Sequence, residues 1–245
     1  MKTLTFIKWE FKSLTRLRVI LPLVAFMFFT SYLGGELSGV VFVSGENVRL
    51  ENLASMLGKT GVVSIEGIYL ALAFFSAILV PFSLTEELNT GILKYYLSLP
   101  ISRFKVFLAK FLACYIVLNL TSLTAVYYKM FMTDPRNFFR FLAVSPFYML
   151  QPCLMILLAT LFTFSVSLYF SVVSVKAWHA SLYSLFTLYS FYTVRLVNPR
   201  LRWYLPPYMF FPASTSMTGI FYIMFFSVFL TLSSCYIFVR RLEVA

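Results

Sequence analysis

Few side chains in this sequence are suited to catalysis or to metal binding. Histidine occurs once, at His179, and the three cysteines, Cys114, Cys153 and Cys235, lie in apolar stretches without a Cys-x-x-Cys pair. Metal sites and disulfide frameworks need clustered His and Cys residues, and isolated thiols in apolar stretches are typically buried. We therefore expect no catalytic, cofactor-binding or metal-binding residues in this chain.

One short stretch resembles part of a phosphate-binding loop. Gly58-Lys59-Thr60 supplies the last three letters of the Walker A pattern Gly-x-x-x-x-Gly-Lys-Ser/Thr, but Leu53 stands where the first glycine is required. The sequence before it does not predict a strand. We therefore do not expect ATP hydrolysis in this polypeptide, and we do not expect the chain to be an enzyme.

The composition belongs to a membrane protein. Of the 245 residues, 60% are hydrophobic and 12% are charged, whereas a soluble domain carries about 25% charged residues. A water-exposed surface cannot be built from this composition, which excludes a soluble enzyme. The net charge of +11 is then first a signal of membrane topology. Since no compact basic domain is present, we expect no nucleic-acid partner.

Six apolar stretches are candidates to cross the membrane, at residues 19–33, 68–84, 106–128, 147–175, 177–194 and 217–239. We predict one all-α integral membrane domain over residues 1–245, with six transmembrane helices and a turn at Lys176 between the fourth and fifth. Both termini then share one side with the loops around 85–105 and 174–178. This side carries most of the Lys and Arg residues, so the positive-inside rule places both termini in the cytoplasm of a multi-pass cell (plasma) membrane protein.

The first 18 residues predict an amphipathic entry helix. Its apolar residues fall within about 80° on a helical wheel, beside an arc of basic ones; the sets are Leu4, Ile7, Phe11 and Leu14, and Lys8, Lys12 and Arg16. We expect the apolar residues to face the acyl chains and the basic row to lie among headgroups of the lipid bilayer, where Trp9 also fits. The alternative is a cytoplasmic helix packed on another protein.

Residues 85–103, between the second and third spans, predict a short cytoplasmic helix. Glu87 would lie near its N-terminus, where negative charge is favoured, and Leu97 would lie on its apolar face. Pro100 would end it, and Ser102 would cap the next helix. A short helix with charged flanks in this position indicates a docking surface for a cytoplasmic partner.

Small and hydroxyl residues mark two of the spans. In the second span, small-x-x-x-small spacing permits close helix approach, at Gly67, Ala71, Ala73 and Ala77. We expect part of a subunit contact there, and packing inside the chain is an equal alternative. In the fifth, Ser184 and Thr187 belong to a row of hydroxyls at every third residue. Such hydroxyls bond to their own helix or line a transport path.

Residues 195–216 are too apolar for a free loop and too rich in proline for a continuous helix. We predict that they form a re-entrant pair of short helices at the outer interface. The alternative is an aromatic interface anchor with no role in transport.

Two stretches resemble the permease subunits of ABC-2 type exporters, the type-2 family of ATP-binding-cassette transporters. The first is the ordered string Glu87, Gly91, Ile92, Leu97, Ser98, Pro100, Ile101, Ser102 and Arg103, followed by Lys110 at the head of the next span. The second is Lys8-Trp9-Glu10-Phe11-Lys12 with Arg16-Leu17-Arg18, which is similar to the family's basic entry helix. Lys94-Tyr95-Tyr96 departs from the pattern because it is bulkier, which would fit a divergent or unusually specific ATPase.

The resemblance implies a transmembrane subunit that pairs with a second permease, identical or related, and with two cytoplasmic ATPase subunits that bind ATP and Mg. It implies that residues 85–103, which we call the coupling segment, fit a groove on the ATPase through Glu87, Gly91, Leu97, Pro100, Ser102 and Arg103, with the entry helix contributing. The spans hold no paired acids of the kind that ion-coupled carriers use, and the chain has 29 Phe and 16 Tyr. These features favour export of a lipid-like, peptidic or otherwise amphipathic cargo.

Two other classes of function stay open. A membrane-embedded lipid-modifying enzyme would need clustered carboxylates, a histidine pair or a metal set. A non-transporting membrane assembly factor would keep the permease scaffold without moving a cargo.

Overall fold

The computed structural model describes residues 3–14, 17–37, 50–90, 102–133, 135, 138–139, 146–197 and 217–244. Over these ranges the chain forms seven α-helices and no strands. They are α1 (Thr3–Leu14), α2 (Leu17–Leu37), α3 (Leu50–Asn89), α4 (Arg103–Thr133), α5 (Pro146–Val173), α6 (Ala177–Val197) and α7 (Met217–Val244).

Four of the described helices are long and apolar enough to cross a membrane, over Gly67–Leu88, Arg103–Met132, Pro152–Val173 and Ile220–Arg241. The apolar part of α2, Val19–Ser31, is shorter. Helix α6 has 21 residues, but its many Ser, Thr and Tyr residues lower its hydropathy. The chain is therefore a membrane-embedded protein that is all-α over its described residues, and four of the six predicted spans meet this criterion.

Helix α3 is the centre of the bundle, since it packs against α2, α4, α5 and α6. Its 40 residues span about 60 Å at 1.5 Å per residue, twice the hydrocarbon thickness. The Gly58-Lys59-Thr60 stretch lies within this helix. The prediction that the second span ends at residue 84 and a separate helix begins at residue 85 is wrong. No glycine or proline interrupts residues 82–90, and α3 continues to Asn89.

The predicted turn at Lys176 is confirmed. Helix α5 ends at Val173, Lys176 is exposed, and α6 begins at Ala177. Arg241, near the end of α7, donates from one guanidinium nitrogen to the carbonyls of Val172 and Ser174, each at 2.9 Å. This contact places the end of α7 beside the end of α5.

Helices α1 and α7 lie at the edges of the bundle. Helix α1 packs against α4, while α7 packs against α5 and, to a smaller extent, α4. Only 17% of the apolar span of α7 is buried, and large apolar side chains such as Phe221, Phe225 and Leu232 are exposed on it. This surface suits contact with lipid acyl chains.

Candidate functional site: an ion cluster at one end of the bundle

Three charged side chains from three helices meet at one end of the bundle. Lys110 Nζ lies 2.8 Å from Glu10 Oε1 and 2.8 Å from Glu87 Oε2. The side chain of Lys110 is 1% exposed, that of Glu10 5% and that of Glu87 23%. We call these three residues the ion cluster. One ammonium group faces two carboxylates in a largely buried place.

Lys110 is buried because of its position along α4. It lies seven residues after Arg103, or about 10 Å along the helix axis at 1.5 Å per residue, and apolar residues surround it in the sequence. A lysine at this depth is costly unless it is paired. The two carboxylates provide that pairing.

Glu10 reaches Lys110 because α1 turns this residue toward the bundle. On a helical wheel Glu10 lies about 40° from Leu14 and about 60° from Ile7. Ile7 and Leu14 pack against the hydrophobic core, so the face that holds all three residues is the face against α4. Part of the face that was predicted to contact acyl chains thus packs inside the bundle, since Ile7 and Leu14 are half-buried there.

Glu87 belongs to the last turn of α3 and not to the first turn of a separate helix. Thr90, which follows the helix, donates from its backbone N–H to the Glu86 carbonyl at 2.9 Å and from its hydroxyl to the same oxygen at 3.0 Å. These bonds close the end of α3. The predicted stabilisation of Glu87 by a helix N-terminus is thus wrong, and Lys110 stabilises its charge instead.

The ion pair between Glu87 and Lys110 joins the start of the predicted coupling segment to the span that follows it. Glu87 precedes residues 91–101 and Lys110 follows them. Ser102 is exposed and directly precedes α4, and its carbonyl accepts from the Lys105 N–H at 2.9 Å and the Val106 N–H at 3.3 Å. Ser102 thus has the predicted N-cap position, and Arg103 is half-buried.

The predicted residues Gly91, Leu97 and Pro100 lie outside the described residues. The same holds for residues 198–216 of the predicted re-entrant segment, whereas 195–197 form the end of α6. Within α1, Lys8 and Lys12 are exposed and Phe11 is half-buried. Arg16 and the Trp9 side chain are outside the part that the structure describes.

The ion cluster lies at a strongly basic end of the molecule. Glu10 ties α1 to this end, and the Arg241 contacts with α5 bring the end of α7 there too. Cations at least partly exposed in this region are Lys8, Lys12, Arg103, Lys105, Lys176, Arg240 and Arg241. The described residues Glu10, Glu87 and Lys110, which belong to the two stretches that resemble the exporter family, therefore meet in space.

The small residues of the second span are buried inside the chain. Gly67, Ala71, Ala73 and Ala77 are all covered by neighbouring helices of the same chain. This arrangement matches the alternative of packing within the chain. On α6, Ser184 is buried and donates to the Ala180 carbonyl at 2.7 Å, while Thr187 is half-exposed.

A second buried polar region is a row of hydroxyls on α5 that faces α3, which we call the hydroxyl seam. Ser167 Oγ lies 3.3 Å from Ser76 Oγ of α3, and Thr85 of α3 donates to the Ser171 carbonyl at 2.7 Å. The seam consists of Thr160, Thr163, Ser167 and Ser171, all fully buried. Their spacing of three, four and four residues keeps them on one helix face. This spacing is visible in the sequence, but the sequence analysis did not identify the seam.

The role of Glu10 was also missed by sequence reasoning. The available signal was its position on the apolar side of the α1 wheel, together with a lysine deep in an apolar span. Among the residues that the structure describes, no three His, Cys, Asp or Glu side chains are grouped so that they could hold a metal ion.

A scan of the sequence against protein-family models and a search of curated protein sequences find no match.

Proposed function

We propose that this chain is the transmembrane subunit of an ATP-driven ABC transporter of the ABC-2 exporter class, with ATP hydrolysis on separate cytoplasmic subunits. The observation that carries the proposal is the contact between the two resembling stretches: the entry helix contributes Glu10, the coupling segment contributes Glu87, and the span after it contributes Lys110. A segment that transmits motion from an ATPase must be attached to helices that are held firmly in place. These ion pairs hold the end of α3, the start of α4 and helix α1 together.

The basic character of this end supports a cytoplasmic orientation in the cell membrane, because positively charged ends of membrane proteins stay on the cytoplasmic side. In the proposal, α2 and α6 join the four apolar helices to give six spans. The coupling segment then faces two ATPase subunits that hold ATP and Mg, and a second permease completes the transporter. The cargo in this proposal is lipid-like, peptidic or otherwise amphipathic.

Copurification tests the proposal. The full chain is tagged, expressed in its native membrane and extracted in mild detergent, and its bound proteins are identified by mass spectrometry. We expect a protein with a complete Walker A loop at a near one-to-one ratio, and vanadate-sensitive ATP hydrolysis by the purified complex. If no such ATPase is recovered under conditions that keep the chain folded, the proposal is wrong.

A pair of charge reversals sharpens this test. Glu86 is exposed in the last turn of α3, at the start of the coupling segment, and Lys176 is exposed in the turn between α5 and α6. We expect Glu86→Arg to reduce the recovered ATPase by about tenfold, since like charges across an interface are unfavourable. Lys176→Glu, a reversal of equal size outside the segments that the resemblance assigns to the contact, should leave recovery within about twofold.

A further inference from the structure

The ion cluster consists of two ion pairs of unequal strength, which we call the Glu10 arm and the Glu87 arm. Both arms share Lys110, but the Glu10 side chain is 5% exposed and the Glu87 side chain 23% exposed. Attraction between charges weakens as water reaches them. The pair with Glu87 is therefore the weaker of the two, although both distances are 2.8 Å.

Apolar packing adds to this difference. Next to Glu10, Ile7 and Leu14 of α1 pack on the hydrophobic core, so that α1 stays attached to α4 through more than one contact. Next to Glu87, Glu86 and Thr90 are exposed and, among the described side chains of this last turn, Leu88 packs on the core. The fully anchored residues Leu84 and Thr85 lie one turn earlier. The last turn of α3 thus depends more on its ion pair than α1 does.

From this asymmetry we propose that Lys110 is a shared latch with a permanent arm to Glu10 and a releasable arm to Glu87. When the Glu87 arm opens, the ammonium keeps Glu10 as its partner, so Lys110 is never left buried without a counter-charge. The end of α3 can then move relative to α4, while α1 and α4 move together. The latch is a property of the fold; its use during transport rests on the proposed function.

Hydrogen exchange of the full chain in phosphatidylcholine nanodiscs, followed by mass spectrometry, separates the two arms. We expect Glu87→Gln to speed exchange over residues 86–90 by about tenfold and to leave residues 7–14 within about twofold, because a helix end opens more often once its stabilising ion pair is removed. Glu10→Gln should speed exchange over residues 7–14 by about threefold, a smaller effect because apolar packing remains.

Equal acceleration of both segments by both variants would overturn the latch, and so would no acceleration by either. Should a Gln variant not fold, Glu87→Asp and Glu10→Asp shorten each carboxylate by one methylene and should give the same assignment with smaller effects. Glu86→Gln is the matched control, an exposed carboxylate one residue from Glu87, and should leave both segments unchanged.

The use of the latch in transport has its own readout. In the complex with its ATPase, ATP with vanadate should accelerate exchange over residues 86–90 and leave residues 7–14 unchanged. Failure to recover an ATPase contradicts the proposed function alone, whereas equal responses of both segments in the isolated chain contradict the latch alone.

Discussion

The ion cluster and the hydroxyl seam are both buried and polar, yet they are satisfied in different ways. In the seam, Thr160, Thr163 and Ser167 donate to carbonyls four residues earlier in their own helix, at 2.8, 3.0 and 2.9 Å. In the ion cluster, each charge finds its partner on another helix. The hydroxyl bonds of the seam therefore form within a single helix, while the ion cluster exists only when three helices are in place.

This difference governs what each region contributes. A hydroxyl that bonds to its own helix stays satisfied when the helices separate, so its contribution comes mainly from close packing. A buried charge that loses its partner is left uncompensated, and breaking such a pair is strongly destabilising. The ion cluster should thus fix which helices are neighbours, and the seam should set how closely they approach.

The largest expected effect comes from removal of the shared cation. Lys110→Met leaves two carboxylates close together without a counter-charge and should lower the free energy of unfolding by about 3–5 kcal/mol. Equilibrium unfolding in mixed detergent–SDS micelles measures this loss. Lys105→Met, an exposed lysine near the start of the same helix, should change stability by under about 0.5 kcal/mol; similar losses in both variants would contradict the role of the ion cluster.

Neutralising the whole cluster should reverse most of that loss. In the triple variant Glu10→Gln, Glu87→Gln, Lys110→Met no charge remains unpaired, and buried ion groups replaced together are often close to neutral in stability, so we expect recovery of about 2–3 kcal/mol relative to Lys110→Met. The same unfolding assay measures it. If the triple variant is no more stable than Lys110→Met, the loss of stability in Lys110→Met comes from the changed side-chain shape and not from the unpaired carboxylates.

Arg241 links the ends of α5 and α7 and should have an intermediate effect. Arg241→Met removes the donor to the Val172 and Ser174 carbonyls and should cost about 2 kcal/mol, as for hydrogen bonds from a charged group. Arg240→Met, at the exposed neighbouring position, is the control in the same assay. Equal effects of the two would show that the carbonyl contacts contribute nothing.

The smallest effects should come from the seam and from Thr85 of α3, which bonds to it, and they should depend on where each hydroxyl donates. Thr85→Val removes a bond to another helix and should cost about 1 kcal/mol. Thr163→Val removes a bond within its own helix and should cost under about 0.5 kcal/mol, measured in the same way. A larger loss for Thr163→Val than for Thr85→Val would contradict the distinction between hydroxyl bonds to another helix and hydroxyl bonds within one helix.

The general class of the protein could be predicted from its sequence, and so could several local features. Low charge and long apolar stretches indicated a helical membrane protein, the lysine at position 176 indicated a turn, and the spacing of Lys8 and Lys12 indicated an exposed basic row. These features depend on neighbours along the chain, since hydropathy and helical periodicity are local properties. For the same reason the end of α3 was misplaced: the sequence near Glu87 permits both a new helix and the continuation of an old one.

What only the tertiary structure decided is which buried groups meet. Glu10 and Lys110 are 100 residues apart in the chain, and neither the composition nor the wheel of α1 identifies α4 as the helix that covers its apolar face. A buried charge needs a partner, and the sequence can show that need. The identity of the partner depends on which helices become neighbours, and that is set by packing across the whole bundle.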